Sequence, residues 1–480
     1  MRFHGKPYLF AYKVRQWLLL AVGLISVFPF SIIEAAGPAP NLNAQQKVFT
    51  YLTQPGETLA VVAVHFGVEM DQIFSEEELP HQAILPTGTL LYIPNILQNT
   101  SSGVRLLPDS EMVYSKSASE FPTRQYIEEA GGYLSTYYQY LQQGGYSTGA
   151  EIIEKISVEY SIHPKLLLAL LEHQTGSVFG KSLSEEAKRY PMGIVRSGVL
   201  GLSKQVALVI TYLENGYYGW RNGKLLAVKL SDRTVLRLSP DLNCATVGLI
   251  NFFSQNHKAD TWEDALYGPN GFMATYERMF GDPWENAAGY EDLWSADVKQ
   301  PVLQLPFDPG TVWSHTVGPH APWGVSEVLG ALDFGPPSSD LGCGWNENWV
   351  SAMAPGVVVR SHNGAVVVDM DGDKNEGTGW NIIYMHVSSI DRPEVGTEVQ
   401  TGRRLGHPSC EGGAATGVHT HIVRKYNGEW VSVDGAIPFV IEGWRSVAGP
   451  YTHSGWLVRG TEVVRANLYG SAATRIQRDP

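Results

Sequence analysis

Apolar residues are spaced differently in three stretches of the chain. Residues 47–95 alternate between short β-type runs and two amphipathic helical stretches, which predicts a small βααβ module. From about 120 to 300 the apolar residues recur at helical spacing, as in Pro164-Lys-Leu-Leu-Leu-Ala-Leu-Leu-Glu172. From about 305 to 445, short β-branched runs are punctuated by glycine, as in antiparallel sheets with tight turns. The pattern predicts a multidomain α+β protein.

The boundaries follow from where these patterns change. Residues 96–119 are polar and serine-rich, which indicates a linker between the front module and the helical part. The predicted segments are a signal peptide (1–36), the βααβ module (46–95), the linker (96–119), an all-α domain (120–300), an all-β antiparallel domain (301–455) and a C-terminal tail (456–480).

The N-terminus has the pattern of a secretory signal. Four basic residues precede an apolar stretch over 17–33, and small residues follow it: the basic residues are Arg2, Lys6, Lys13 and Arg15. Pro29 and the short apolar core disfavour a stable membrane-spanning helix. Because the cleavage box is imperfect, an uncleaved anchor is the alternative, and it would be the chain's contact with a membrane. Both interpretations place the protein outside the cytoplasm.

Length and charge narrow the function classes. The 480 residues exceed what one hydrophobic core accommodates, so several domains are expected. A net charge of −13 argues against nucleic acid as a partner and against electrostatic attachment to anionic lipid.

The most informative motif is His419-Thr-His421 in an apolar, β-branched run. Residues i and i+2 of a strand point to the same face, so both imidazoles are expected side by side. Neutral imidazole is a common zinc ligand, and the pair therefore favours a zinc site. The alternative is two exposed histidines on a solvated strand.

Two further segments supply residues of the same chemistry. Gly379–Val387 is an apolar strand pattern that carries His386 at its end, and Gly330-Ala-Leu-Asp333-Phe-Gly places a carboxylate inside an apolar run. Together with Ala354-Pro-Gly-Val-Val and Thr416-Gly-Val-His-Thr-His, these motifs resemble the lysostaphin-type zinc endopeptidases, which cleave the peptide cross-links of bacterial cell walls. The resemblance covers about 130 residues and implies the family's fold, with its duplicated hybrid motif.

The resemblance also implies residue roles. Asp333 and His421 take the positions of zinc ligands, His419 that of a base beside the activated water, and His386 that of a second catalytic histidine near the developing oxyanion. Zinc with three protein ligands keeps an open position for water, which suits hydrolysis.

One position departs from the family pattern. The family's first ligand is a histidine four residues before the aspartate, and this chain has Leu329 there. His320 is the best replacement, because the Pro- and Gly-rich segment before Asp333 can loop out, and His315 is the other upstream candidate. If neither binds, the domain has lost its third ligand and only binds or regulates.

The cysteines suggest one disulfide. Cys343 and Cys410 both lie in glycine-rich loops of the predicted β domain, and exported proteins form disulfides, so these two are paired. A thiolate zinc ligand is the competing interpretation. Cys244 lies in an apolar segment and is predicted to be a buried free thiol.

The front module closely resembles LysM, a βααβ fold that binds glycans containing N-acetylglucosamine. The resemblance implies glycan contacts from Pro55–Leu59 and from Ile84–Thr87. The alternative is a structural cap on the following domain.

The helical part is weakly similar to lytic transglycosylases. Glu172 ends an apolar helix, and Gly201-Leu-Ser-Lys-Gln205 and an Asn243 helix follow, in an order that makes Glu172 a candidate catalytic acid. Because the spacing and flanking signature are incomplete, a helical spacer is the preferred interpretation.

The combined interpretation is an exported cell-wall hydrolase that binds peptidoglycan through LysM and cleaves its peptide cross-links with zinc. Its partners would be the glycan strands and stem peptides of peptidoglycan. Two alternatives stay open: a degenerate, non-catalytic scaffold or activator of other wall hydrolases, and glycosidic cleavage by the helical domain.

Overall fold

The computed structural model describes residues 48–142, 144–337 and 342–480. The predicted signal peptide, 1–36, lies outside the described residues. Within those ranges, no helix combines the length and apolar character needed to span a bilayer.

The front module is a strand–helix–turn–strand unit. Strands β1 (Val48–Leu52) and β2 (Leu90–Pro94) pair antiparallel around α1 (Leu59–Phe66), and their buried residues form a separate small cluster. Thr58 caps α1 by accepting the Val61 N–H, and Gly67 ends it at φ +69°. The predicted second helix is only a 3₁₀ turn, Met70–Gln72.

The middle of the chain is mainly helical. Its helices are α2 (Lys116–Glu120), α3 (Thr123–Ala130), α4 (Tyr133–Thr136), α5 (Gly149–Glu159), α6 (Pro164–Thr175), α7 (Glu185–Arg189), α8 (Leu202–Arg221), α9 (Cys244–Ser254), α10 (Trp262–Tyr267), α11 (Phe272–Phe280) and α12 (Pro283–Ala287). The prediction of an all-α domain missed two short hairpins, β3 (Tyr138–Leu141) with β4 (Gly145–Thr148) and β5 (Ala227–Lys229) with β6 (Val235–Arg237).

The segment predicted as a linker, 96–119, does not behave as one. Its second half is packed into the helical core, where Leu106, Leu107, Met112 and Val113 are buried. Helix α2 begins within the same segment. The serine-rich composition was misleading because these apolar residues are scattered between the polar ones.

The C-terminal part is all-β, as predicted. Its strands are β7 (Val312–His320), β8 (Ala331–Gly335), β9 (Val350–Ser351), β10 (Gly356–His362), β11 (Ala365–Asp369), β12 (Trp380–Met385), β13 (Glu398–Val399), β14 (Arg404–Gly406), β15 (Thr420–Tyr426), β16 (Glu429–Trp430), β17 (Val440–Ile441), β18 (Trp444–Ala448), β19 (Gly455–Arg459), β20 (Glu462–Arg465) and β21 (Arg475–Gln477). The main sheet has the order β13-β10-β11-β12-β15-β8-β7-β21, with β16 beside β15. Every neighbouring pair of these strands is antiparallel.

The predicted C-terminal tail, 456–480, is part of this domain. Strands β19 and β20 continue a small antiparallel sheet with β17 and β18, and β21 pairs with β7 at the edge of the main sheet. Ile476 is buried there. The fold therefore ends beyond residue 455, because the last strand closes the sheet beside the strand that carries His320.

The two faces of the main sheet pack differently. In β11 and β12, Val366 and Ile382 belong to the core of the β domain itself. The alternate residues Val367 and Ile383 belong to a core that is shared with the helices. Because side chains alternate along a strand, the helical part therefore packs on one face of the sheet.

Candidate metal centre

Three adjacent strands carry the predicted metal ligands. In the antiparallel register, His421 of β15 lies directly opposite Asp333 of β8, so their side chains share a face. His320 ends β7, the next strand along the sheet, and lies opposite Ala331. The sheet thus brings together residues that are 88 and 101 positions apart in sequence.

The three side chains meet at one point. His320 Nε2 lies 3.0 Å from His421 Nδ1, and His421 Nδ1 lies 3.1 Å from Asp333 Oδ1. His320 Nε2 lies 3.4 Å from the same carboxylate oxygen. Within the described residues, these three form one of the His/Cys/Asp/Glu groups close enough to hold a metal ion.

Backbone carbonyls orient both imidazoles. His320 Nδ1 donates to the carbonyl oxygen of Gly318 at 2.8 Å, and His421 Nε2 donates to that of Pro322 at 3.0 Å. A carbonyl oxygen can only accept, so in each neutral ring the other nitrogen is the one without a proton. The second-sphere bonds therefore aim the lone pairs of His320 Nε2 and His421 Nδ1 at Asp333.

These donors fit zinc. Nitrogen and oxygen ligands of a tetrahedral Zn²⁺ lie roughly 2.0–2.2 Å from the ion and hence roughly 3.3–3.6 Å from one another. The observed separations of 3.0, 3.1 and 3.4 Å come close to that spacing. Two imidazole lone pairs and one carboxylate make a donor set that zinc prefers.

The electrostatics of the group keep Asp333 ionised. Burial opposes its charge, but in the protonated form of the histidines the positive charge of His320 and the hydrogen bonds from His320 and His421 hold the Asp333 pKa well below its usual range. Burial lowers the pKa of His421, which favours the neutral ring that a metal ligand needs.

The two predicted catalytic histidines border this group. His419 Nε2 lies 3.5 Å from Asp333 Oδ2, and the rings of His386 and His419 are 4.4 Å apart. His419 Nδ1 donates to the Gly417 carbonyl oxygen at 2.8 Å, and His386 Nδ1 donates to that of Glu411 at 2.9 Å. In the neutral tautomers that result, Nε2 of each ring is a proton acceptor.

His386 occupies an unusual backbone conformation. Its φ is +62°, in the left-handed region that side chains other than glycine rarely adopt. Its carbonyl oxygen accepts hydrogen bonds from the backbone N–H and the hydroxyl of Ser409 at 2.7 and 3.0 Å. Burial, followed by the neighbouring His419 and His421, lowers the His386 pKa to about 4, so the ring is neutral at neutral pH.

A disulfide fastens the loop beside His386. Cys343 and Cys410 are bonded, with their Cα atoms 5.6 Å apart, which confirms the predicted pair. Cys410 immediately precedes Glu411, whose carbonyl orients His386. Cys244 is free and buried, also as predicted.

The group opens into a large cavity. Its volume is about 1950 Å³, and its lining includes His320, His386 and His419 from the β domain and Tyr160 from the helical part. A segment of peptide has room to lie across the metal group in a cleft between the two parts.

Two other predicted candidates lie elsewhere. His315 is fully buried in β7 and packs against Phe334, with ring centroids 5.7 Å apart, so His320 is the upstream histidine that reaches the group. Glu172 belongs to α6, where its carboxylate accepts the backbone N–H groups of Val178 and Phe179 at 3.0 and 3.1 Å. In this arrangement Glu172 stabilises the turn after its helix.

The predicted glycan-contact segments face the helical part. Gly56 and Glu57 are buried, and the Pro55 carbonyl accepts a hydrogen bond from Arg221 at 2.7 Å. Ile84 belongs to the core shared with the helices.

Sequence reasoning missed two features at the edge of the site. His453, in the loop after β18, stacks on His320 with ring centroids 5.4 Å apart. The loop between His320 and Asp333 rests on the helices, since Thr211 donates to the Val325 carbonyl and the Glu327 N–H donates to Asn215 Oδ1. Neither feature has a sequence signal, because both depend on contacts between distant segments.

Comparisons with known proteins extend these observations. Residues 105–295 match the family model described as the N-terminal domain of LasA. Protease LasA of Pseudomonas aeruginosa is 28% identical over 350 residues, which are 69% of this chain and 76% of LasA. The beta-lytic metalloendopeptidase of Lysobacter enzymogenes is 29% identical over 157 residues, 31% of this chain and 80% of that protein. The deep-sea M23 metalloprotease pseudoalterin is 26% identical, covers 35% of this chain and 96% of its own, and has a TM-score of 0.30.

Relatives and site agree. The similarity to LasA and to the beta-lytic enzymes, together with the His320–Asp333–His421 group, supports a zinc metalloendopeptidase. The matched LasA model begins at residue 105, inside the segment that the sequence patterns had assigned to a linker.

Proposed function

We propose that this chain is an exported zinc endopeptidase that cleaves peptide cross-links of peptidoglycan. The observation that carries the proposal is the convergence of His320, Asp333 and His421, with two further histidines whose unprotonated nitrogens border the same cavity. Three ligands with an open fourth position are typical of catalytic zinc. The peptidase relatives support the reaction class.

The residues of the site have separate roles. His320, Asp333 and His421 hold the metal, and zinc bound there acts as a Lewis acid that activates water at neutral pH. His419 accepts the proton that water loses on attack, because its Nε2 is the unprotonated nitrogen next to the metal group. Its Nδ1–H bond to Gly417 fixes this tautomer and steadies the positive charge that the ring acquires.

His386 starts the reaction as a neutral acceptor. Its Nδ1–H is engaged by Glu411 and its pKa is about 4, so Nε2 carries no proton to offer an oxyanion. Stabilising the tetrahedral oxygen therefore requires that His386 takes up a proton from solvent in the cavity, in addition to the proton that His419 removes from water, and the growing negative charge favours this uptake. His419 then passes its proton to the leaving amine, and His386 returns its own to solvent when the charge is lost. We assign His386 as the group that is protonated during the reaction and then supports the developing charge.

Attachment to the wall is assigned to the front module. The LysM-like segment 48–95 would bind glycan strands, with stem peptides presented to the cavity. Because Gly56 and Glu57 are buried against the helical part, glycan entry at Pro55–Leu59 requires the module to shift. Titration of the full chain with soluble N-acetylglucosamine oligomers tests this assignment, and a failure to displace the protein from insoluble wall material would reject it.

Zinc content and turnover test the peptidase assignment. His320→Ala and His421→Ala should each remove zinc, because each takes away one of the three protein ligands. His419→Ala should retain zinc and lose at least roughly 10²-fold in turnover of a cross-linked wall peptide. His81→Ala, an exposed histidine of the front module, is the matched control and should change neither property.

The products separate the rival functions. Mass spectrometry of wall fragments should find new free amines, which peptide cleavage creates. New reducing or anhydro-sugar ends, abolished by Glu172→Gln and retained in His419→Ala, would instead identify a glycosidase in the helical part. Zinc-free protein that binds wall material without cleaving it would establish the scaffold.

A further inference from the structure

The loop between β11 and β12 gathers acidic side chains far from the zinc group. Asp369, Asp371 and Asp373 alternate in Asp-Met-Asp-Gly-Asp, and one carboxylate oxygen of each lies within 4.8 Å of the others. Asp369 is buried at the end of β11, whereas Asp371 and Asp373 are exposed.

The neighbouring strand adds a buried oxygen. Asn381 is fully buried and lies directly opposite Asp369 in the pairing of β11 and β12, so their side chains project together from one face. Its Nδ2 donates to the Thr378 carbonyl of the same loop at 2.9 Å. Its Oδ1 has no hydrogen-bond partner among the described residues. A buried amide oxygen without a donor is costly unless something else binds it.

The three carboxylates of the loop repel one another. Like charges held this close in a partly buried loop are unfavourable unless a cation lies among them. Backbone N–H groups of Asp371 and Lys374 bond the Asp369 carboxylate, at 3.3 and 2.8 Å. These bonds hold the carboxylates close together without cancelling their charge.

We propose that this loop binds a calcium ion through Asp369, Asp371, Asp373 and the Oδ1 atom of Asn381. Carboxylates at i, i+2 and i+4 followed by a carbonyl-type oxygen form the kind of all-oxygen donor set that Ca²⁺ takes. The ion gives the buried Asn381 oxygen its missing partner and offsets the repulsion among the three carboxylates.

The donor chemistry favours calcium over other ions. Ca²⁺ takes about six to eight oxygen ligands in flexible geometry, and three carboxylates with an amide oxygen supply four of that kind. Mg²⁺ demands near-ideal octahedral geometry, keeps several waters and is seldom held by a dedicated all-protein cage. Zn²⁺ prefers nitrogen and sulfur ligands, whereas all four proposed donors are oxygen atoms.

The loop also touches the helical part. Asn375 Nδ2 donates to the Ser119 hydroxyl at 2.9 Å, next to the end of α2. Glu376, one residue later, is buried between Arg360 and Lys425. Calcium bound three residues earlier would therefore fix a loop that joins the sheet to the helices, and its role is structural.

Direct binding to the zinc-loaded full chain tests the proposal. Titration calorimetry with CaCl₂ in calcium-depleted buffer should give one ion per chain, with a dissociation constant of roughly 10⁻⁴–10⁻³ M, as in extracellular modules. At a free Ca²⁺ concentration about one hundred times that constant, the melting temperature should rise by roughly 3 °C, the shift expected when a chain of this length unfolds as one unit. MgCl₂ should bind at least about tenfold more weakly.

Paired variants separate this site from other acidic surfaces. Asp371→Asn/Asp373→Asn should weaken Ca²⁺ binding more than about tenfold and, without calcium, should raise the melting temperature because repulsion is relieved. Glu394→Gln/Glu398→Gln removes the same charge from two exposed glutamates of the β domain and should bind Ca²⁺ like the unaltered chain.

Three outcomes would overturn the assignment. Calcium affinity unchanged in the Asp371/Asp373 variant would place the ion elsewhere, and equal affinity for Mg²⁺ would reject calcium as the ligand. Saturation with CaCl₂ that leaves the melting temperature unchanged would reject the structural role. Zinc content, measured in parallel by mass spectrometry, should stay the same in both variants, so a change at the peptidase centre cannot imitate these results.

Discussion

A buried ion pair lies where the front module, the helical part and the β domain meet. Removing it tests how much this junction contributes to stability. Arg221 of α8 donates from Nε to Glu429 Oε1 at 2.8 Å, and from its terminal nitrogens to Asp109 at 3.1 Å and to the Pro55 carbonyl at 2.7 Å. Glu429 also accepts the indole N–H of Trp294 at 2.7 Å. One guanidinium therefore links the front module, the helices and the sheet.

Removing the Arg221 guanidinium should lower the free energy of unfolding substantially. The side chains of Arg221 and Glu429 are 12% and 1% exposed, so Arg221→Met leaves a carboxylate buried without its counter-charge. Breaking a buried pair from one side costs about 3–5 kcal/mol, because desolvation of the remaining charge is no longer offset. Arg221→Met/Glu429→Gln removes both charges and should recover part of that loss.

An exposed pair of the same kind provides the control. Arg124 donates to Glu154 at 2.7 Å, but these side chains are 45% and 37% exposed, so Arg124→Met should cost less than about 1 kcal/mol. Urea unfolding of the zinc-loaded protein, followed by tryptophan fluorescence, measures each free energy. If Arg221→Met costs no more than Arg124→Met, or if the double variant loses as much as the single one, burial does not control this junction and the reasoning fails.

Two further predictions concern the β domain. Replacing Cys343 and Cys410 together by Ser should lower the free energy of unfolding by about 4 kcal/mol, since the bridge closes a loop of 67 residues. Urea unfolding under non-reducing conditions measures this loss, and a loss below about 1 kcal/mol would contradict the prediction. Burial opposes ionisation of Glu376, but the charges of Arg360 and Lys425 hold its pKa at about 2. The ionised carboxylate therefore contributes about 3 kcal/mol to the free energy of unfolding. This contribution is complete above about pH 4.5 and is lost as the pH falls towards 2. Glu376→Gln should therefore be less stable than the unaltered chain at pH 7 and nearly equal to it at pH 2, and a gap independent of pH would refute the assignment.

The clustering of these side chains was predictable because a strand has a fixed two-residue period. His419-Thr-His421 and the apolar runs around Asp333 and His386 each place a polar group on a defined face, and the family resemblance supplied their order. The position of His320 before a loop favours it over His315, and the pairing of β7 with β8 brings it to Asp333.

Long-range packing was not predictable from local patterns. The segment 96–119 reads as a linker until its scattered apolar residues meet α9 and the core around it. The last strand, β21, pairs with β7 across more than 150 residues. It is only three residues long, too short to show the alternation of apolar and polar residues that predicts a strand. The acidic loop after β11 has a visible alternation, yet its significance depends on Asn381, which becomes a neighbour only once the hairpin is formed.

The face of the sheet that bears the metal group is also the face on which the helices pack. Along β15, Val423 contributes to the core shared with the helices, while His421, two residues earlier on the same face, points to the metal group. The loop that follows His320 lies between the two, resting on α8 through Val325 while the Pro322 carbonyl orients His421. A displacement of the helices would therefore reach His421 through that loop. It follows that the helical part does more than space two domains: it covers the apolar half of the sheet face that carries the His320–Asp333–His421 group, and it supports the loop that orients the His421 ring.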